Sequence, residues 1–264
     1  MKRRRTDITV EDLGNGIFRL NEYDFANCFL VIGSEKACLI DACAGVADIG
    51  AVVRRITTLP VTVLITHAHA DHIGGAVWFP DVYLHPADLK RGKSYYRAPA
   101  RMYFLYCHKY KKKKSGAKYS DAFQHAYKPR LHTMEEGARF SLGDREIEVF
   151  HTPGHSEGSV VFKDSKTGIV FTGDNVNPMV TLQFPGGVTV REWIDGAVKT
   201  LRIAGEAPMW GGHGSTPISR ETVETAIGFA REIVAEGNKN SRKTCIRVGS
   251  GKYPCVYYKA HRVI

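Results

Sequence analysis

Four short apolar runs in this chain end alike, in histidine or aspartate close to glycine, and neither a plain core nor a plain surface requires that. The most demanding is Val61-Thr62-Val63-Leu64-Ile65-Thr66-His67-Ala68-His69-Ala70-Asp71-His72-Ile73-Gly74-Gly75. A β-branched apolar run bounded by Pro60 reads as a strand buried on both faces. It gives way to three histidines and one aspartate within six positions. His67 and His69 are two apart, so in extended chain their side chains leave the backbone on one side and converge on one ion. Asp71, followed by an apolar stretch through Phe79, reads as the capped start of a helix that aims Asp71 and His72 at a second position. Four ionisable groups packed so closely without a cation would suffer severe desolvation and repulsion. The pattern asks for two metals.

Three further runs supply matching donors: Ile147-Glu148-Val149-Phe150-His151-Thr152-Pro153-Gly154-His155, Ile169-Val170-Phe171-Thr172-Gly173-Asp174 and Pro208-Met209-Trp210-Gly211-Gly212-His213-Gly214. In their order and wording, Thr66-His67-Ala68-His69-Ala70-Asp71-His72, Thr152-Pro153-Gly154-His155-Ser156, Thr172-Gly173-Asp174 and Gly212-His213-Gly214 resemble the motifs of the metallo-β-lactamase superfamily. The resemblance runs from about Gly16 to about Ala235 and omits one internal segment. It implies an α/β fold, a four-layer αββα sandwich with a dinuclear site at one edge. By that likeness His67, His69 and His155 hold the first metal, Asp71, His72 and His213 the second, and Asp174 bridges them. The family's supporting aspartate falls on Asp41, but the small turn usual after it is replaced here by Ala42-Cys43-Ala44-Gly45.

Five histidines and two aspartates with no cysteine suit zinc and also accept iron or manganese. Two such ions share a water and lower its pKa towards neutrality, so the expected enzyme is a metallo-hydrolase in which a metal-bridging hydroxide attacks carbonyl or phosphorus. Asp71 is expected to be catalytic as well as a ligand, orienting that hydroxide. The leading substrate is a small acyl compound: a thioester as in glyoxalase II, a lactone, an ester or a β-lactam. A glyoxalase II would carry a C-terminal helical glutathione-binding region, where this chain has a short β-rich stretch. The rival is a phosphodiesterase or nuclease, encouraged by a net charge of +10 but lacking the long arm and extra motifs of nuclease branches. A third reading is an iron oxygenase resembling persulfide dioxygenases, which would use only His67, His155 and Asp174 and leave the other four donors unexplained. A catalytically silent binding module would lack a ligand, and none is missing.

The 264 residues are long enough for a single domain over 1–264. The positive charge favours an anionic small-molecule substrate, although much of it sits in Lys2-Arg3-Arg4-Arg5 and in the run Lys109-Tyr110-Lys111-Lys112-Lys113-Lys114, which read as solvated faces. Cysteines at 28, 38, 43, 107, 245 and 255 form no Cys-x-x-Cys pair and are expected as buried free thiols. No signal peptide or membrane span is read, so a cytoplasmic location is expected. Oligomeric state is left open.

Along the chain, strands are expected at 16–20, 27–33 and 37–41, a helix at 46–58, a strand at 82–85, strands between 140 and 173, helices at 190–204 and 219–237, and a hairpin at 244–258. Residues 89–130 are too aromatic for a linker and read as an inserted helical cap, either a lid whose Arg97, Arg101 and Lys109 meet an anionic group or a decoration on the outer helices. His85, His108, His125 and His132 read as packing, supporting or surface residues.

Overall fold

This computed structural model describes residues 8–107, 118–239, 243–248 and 254–264. His108, the 109–114 run and the turn expected at 250–251 lie outside them. The chain divides into two units, one running to Met134 and including Phe140–Glu146, the other made of Glu135–Arg139 and Ile147–Ile264.

In the first unit the apolar runs become β1 (Ile8–Asp12), β2 (Ile17–Glu22), β3 (Ala26–Ile32), β4 (Ala37–Ile40), α1 (Ile49–Ile56), β5 (Val61–Leu64), α2 (Ala70–Ile73), β6 (Asp81–Leu84), α3 (Leu89–Tyr95), α4 (Ala98–Cys107) and β7 (Arg130–Thr133). The seven strands form one sheet in sequence order. β1 to β4 pair antiparallel across short turns. β4, β5, β6 and β7 pair parallel, because each is reached by a crossover long enough to return the chain. α1 is the first such crossover. The Asp48 carboxylate accepts from Ala51 N at 2.8 Å to start it, and Ile49, Val52 and Val53 bury its inner face. β4 is buried at every position, as a continuous apolar strand should be. β1 is a strand the sequence did not announce, since its residues after Ile8 are exposed.

Among its described residues the inserted segment holds α3, α4 and a 3₁₀ turn over Tyr119–Phe123. Phe104, Leu105 and Ala122 bury against Phe25, Ala26, Ala44 and Val46, with the Phe25 and Phe104 rings edge to face at 5.1 Å. Tyr103, Tyr106 and Phe123 lie on the exposed side.

The second unit holds the sheet β13-β11-β10-β9-β8, built from β8 (Arg139–Ser141), β9 (Glu146–His151), β10 (Val160–Asp164), β11 (Val170–Gly173) and, after β12 (Met179–Thr181) and α5 (Val190–Ala204), β13 (Met209–Gly211). α6 (Arg220–Glu236), β14 (Thr244–Val248) and β15 (Cys255–Lys259) follow. α5 opens with a capping box in which the Thr189 hydroxyl accepts from Glu192 N and the Glu192 carboxylate accepts from Thr189 N. α6 starts at Ser219 and stops at Gly237, whose φ is 73°. Trp193, fully buried, anchors the core of this unit. The hairpin expected at 244–258 is present as β14 and β15, but it is not a separate appendage: β15 also pairs parallel with β12.

All six cysteines are free; Cys28, Cys38, Cys43 and Cys255 are buried, while Cys245 is half-buried and Cys107 exposed, which corrects the expectation for those two. Among the described residues no helix is long and apolar enough to cross a membrane.

Candidate metal centre

In the first unit β5 ends at Leu64, and the chain bends at Thr66 and His67 before α2 begins at Ala70. His69, with φ −79° and ψ 155°, is the residue that caps this short helix. Asp71 lies inside its first turn, not at its cap, which corrects the expected helix start. His67 and His69 rings stand 4.8 Å apart and His67 and His72 rings 4.1 Å apart. Asp71 Oδ2 lies 3.7 Å from His72 Nε2. His67 and His72 are buried, and His69 and Asp71 are half-buried.

The hydrogen bonds behind these rings assign their protons. Asp41 Oδ2 lies 2.8 Å from His72 Nδ1, and a carboxylate only accepts, so Nδ1 of His72 carries the proton. The Thr66 hydroxyl lies 2.8 Å from Asp41 Oδ2 and must donate there. Its oxygen, 3.1 Å from His67 Nδ1, is then the acceptor, so His67 is also protonated at Nδ1. In the second unit His155 Nδ1 lies 2.6 Å from Thr181 O, a carbonyl, and the same inference follows. All three rings therefore present an Nε2 lone pair, the form a metal takes.

The second unit brings its own donors together. His155 Nε2 is 3.8 Å and His213 Nε2 3.1 Å from Asp174 Oδ2. Asn177 Nδ2 donates to Asp174 Oδ1 at 3.0 Å, which turns the other carboxylate oxygen towards the histidines. Asn175 Oδ1 accepts from His155 N at 3.3 Å, and its own carbonyl accepts from Trp193 Nε1 at 2.8 Å.

Several of these supports were not singled out from the sequence. Asp88, fully buried, accepts from Ala68 N at 2.8 Å, between the first two histidines, and is paired with Arg91 at 2.5 Å. Its place just after β6 was the available signal. Thr181, Asn175 and Asn177 carried none, because their contacts are distant in sequence or made within a loop. His85 accepts from Ala87 N, His132 pairs with Asp81 at 2.7 Å and His125 bonds Phe123 O, consistent with structural duty. Arg101, expected to meet an anionic group, is only 1% exposed and gives its protons to backbone carbonyls. Tyr95 of the inserted segment stacks its ring at 28° beside His69, 6.2 Å between centroids.

A model of the metallo-beta-lactamase superfamily matches residues 22–261. The chain is 33% identical over 182 residues to acyl-coenzyme A thioesterase MBLAC2 of Gallus gallus, a match covering 62% of this chain and 64% of that protein's length. TTHA1623, solved in a di-iron-bound form, is 28% identical with a TM-score of 0.52 over 72% of this chain and 88% of that one. The metallo-beta-lactamase family protein TTHA1429 from Thermus thermophilus, 17% identical, shares the fold with a TM-score of 0.61 over 94% of this chain and 100% of that one.

Proposed function

Because the chain belongs to the metallo-β-lactamase superfamily, whose mixed α/β fold it shares, we propose that it is a metal-dependent hydrolase of an acyl thioester, with two zinc ions per chain. His67, His69 and His155 would hold one ion, and Asp71, His72, His213 and the bridging Asp174 the other. The observation that carries the reading is the proton placement: three histidines are held with Nδ1–H turned into the protein and an Nε2 lone pair outward. Each unit also supplies donors of a type that could hold an ion, His67, His69, Asp71 and His72 in the first and His155, Asp174 and His213 in the second. Neutral imidazoles and carboxylates without thiolate fit a borderline dication. Such ions, when bound, supply Lewis acidity and a water acidic enough to attack at neutral pH.

The chain's own residues do the rest. Asp41 and Thr66 keep the protons of His72 and His67 at Nδ1, and Thr181 does so for His155. Asn177 keeps Asp174 turned. Asp71, half-buried with Oδ2 3.7 Å from His72 Nε2, would accept a hydrogen bond from the attacking water and orient it. Tyr95 offers an apolar face beside His69 that would shield the reacting carbonyl from bulk water, which favours the inserted segment as a cap over an outer decoration. The choice of thioester rests on the relative named an acyl-coenzyme A thioesterase, of which the chain spans 64%. Iron in place of zinc is supported by the di-iron form of TTHA1623.

The test is elemental analysis of protein purified without chelator, followed by turnover of acyl-coenzyme A thioesters against a lactone, a β-lactam and bis-nitrophenyl phosphate. Two ions per chain and preferred thioester cleavage are expected, with Asp71→Asn lowering kcat by about 10²-fold or more while retaining metal. One ion after metal supplementation, or a phosphodiester preference, would overturn the proposal.

A further inference from the structure

The turn after Asp41, Ala42-Cys43-Ala44-Gly45, is given a task by its packing. Ala42 N donates to His72 O at 2.8 Å and Gly75 N to Cys43 O at 3.1 Å, so residues 42–45 run against the backbone that leaves the ligands Asp71 and His72. The approach admits no side chain: a Cβ on Gly75 would stand 1.9 Å from Ala42 O, and one on Gly74 2.2 Å from Ala44 O. Asp41 and Cys43 both hold positive φ, 59° and 57°. Non-glycine residues persist there only where their surroundings over-determine them.

Two buried ionisable side chains, each bonded to backbone, do the determining. Glu22, at the end of β2, accepts from Gly45 N at 2.9 Å and Ala47 N at 2.6 Å. Arg101, from α4 in the inserted segment, closes the other side. Its Nε donates to Ala44 O at 3.3 Å, its Nη2 to Gly45 O, and its Nη1 to Gln124 O at 3.0 Å. Trp78 Nε1 adds a donor to Gly45 O at 3.1 Å. Both charged residues are 1% exposed. Burial raises the Glu22 carboxyl to about 7 and lowers Arg101 to about 10. A well-packed apolar pair of similar volume would avoid that desolvation. What it could not do is hold the carbonyls of Ala44 and Gly45 from one side and the amides of Gly45 and Ala47 from the other.

We propose that Arg101 is a positioning residue for the metal-ligand loop: it clamps the 42–45 turn, and through that turn fixes residues 72–75, so that order in the inserted helices sets the geometry of Asp71 and His72. This rests on the metal reading above and adds to it a link between insert and ligands.

The experiment uses full-length protein and zinc. Wild type, Arg101→Met, the double variant Glu22→Gln/Arg101→Met and Arg101→Lys are compared by urea unfolding of the metal-free form, by stepwise competition of zinc against a chelator, and by hydrogen exchange at the Gly74 and Gly75 amides. Arg101→Met takes its donors from the Ala44, Gly45 and Gln124 carbonyls and the nearby cation from the buried Glu22, and loses stability. The double variant removes both charges and recovers only the electrostatic part of that loss. Positioning nevertheless predicts that the double variant binds its weaker zinc about 10- to 100-fold less tightly and exchanges Gly74 and Gly75 faster. Arg101→Lys keeps the charge but cannot span both carbonyls, and weakens zinc in the same direction if the double variant does not fold. Wild-type zinc affinity in whichever of these variants folds overturns the proposal. A wild type that binds no zinc would instead refute the metal reading itself, which separates the two failures.

Discussion

Asp41→Asn isolates the proton placement on which the metal reading depends. The backbone is not disturbed, since asparagine tolerates the positive φ of 59° found at this position. The change is one oxygen replaced by NH2. Asp41 is 2% exposed and accepts from three donors: Thr66 N at 2.8 Å, the Thr66 hydroxyl at 2.8 Å and His72 Nδ1 at 2.8 Å. Whichever way the amide turns, its NH2 faces either the Thr66 amide or the His72 ring. If it faces Thr66, a charge-assisted bond worth about 1.5–3 kcal/mol is lost and a buried N–H is left unpaired at about 1–3 kcal/mol; allowing for overlap, a loss of about 2–4 kcal/mol follows. If it faces His72, the ring escapes by moving its proton to Nε2 and accepting at Nδ1. Stability is then largely kept, but the lone pair is taken from the atom that binds metal, and zinc affinity falls about 10- to 100-fold. Urea unfolding of the metal-free form paired with zinc competition reads both branches. A variant within about 0.5 kcal/mol of wild type and with unchanged zinc affinity would show that Asp41 does not place the proton, and the assignment would fail.

Glu22 gives a pH dependence with a definite sign. Its carboxyl rises from 4.5 to about 7 on folding, so between those values the folded chain binds a proton that the unfolded chain has released, and stability falls as pH rises through that window, by about 3 kcal/mol in all. Glu22→Gln removes this slope. The urea midpoint of the variant should gain on wild type from pH 4.5 to 7 and hold its gain above; parallel profiles would refute it. The cysteines give a simpler check. A thiol reagent applied to native protein should modify Cys107 quickly and Cys245 slowly, leaving Cys28, Cys38, Cys43 and Cys255 until urea is added; burial also raises the thiols of Cys38 and Cys43 and so lowers their thiolate fraction. Fast loss of a third native thiol would count against the described packing.

What the sequence made legible is what local pattern can carry. Each candidate donor motif sits at the end of an apolar run, so the strand and the donor it delivers are read together, and the His67 and His69 rings lie 4.8 Å apart although the chain between β5 and α2 bends rather than staying extended. The supports were harder to read. Glu22 and Arg101 look like surface charges in any window of sequence, because their burial depends on backbone groups of the distant 44–47 turn. The same blindness sent Arg101 to an expected anion contact when its protons serve Ala44, Gly45 and Gln124. Thr181 holds His155 across a long stretch of sequence, and β12 is only three residues long, too short for periodicity to register. Asp71 was misplaced by one helical turn's logic: a short acid before an apolar run normally caps, but here His69 adopts the cap conformation and Asp71 is carried inside.

The pairing of β12 with β15 has a consequence in time. The Thr181 carbonyl that orients His155 sits on a strand bonded along β15, with Leu182 N donating to Tyr257 O at 2.8 Å just beyond it. During synthesis His155 therefore leaves the ribosome roughly 100 residues before the strand that completes its support, an interval of about 5–20 s. On the metal reading proposed above, donors loosely held in that interval would rank cations by intrinsic affinity, in which copper exceeds zinc, and selection by geometry would begin only when β15 docks.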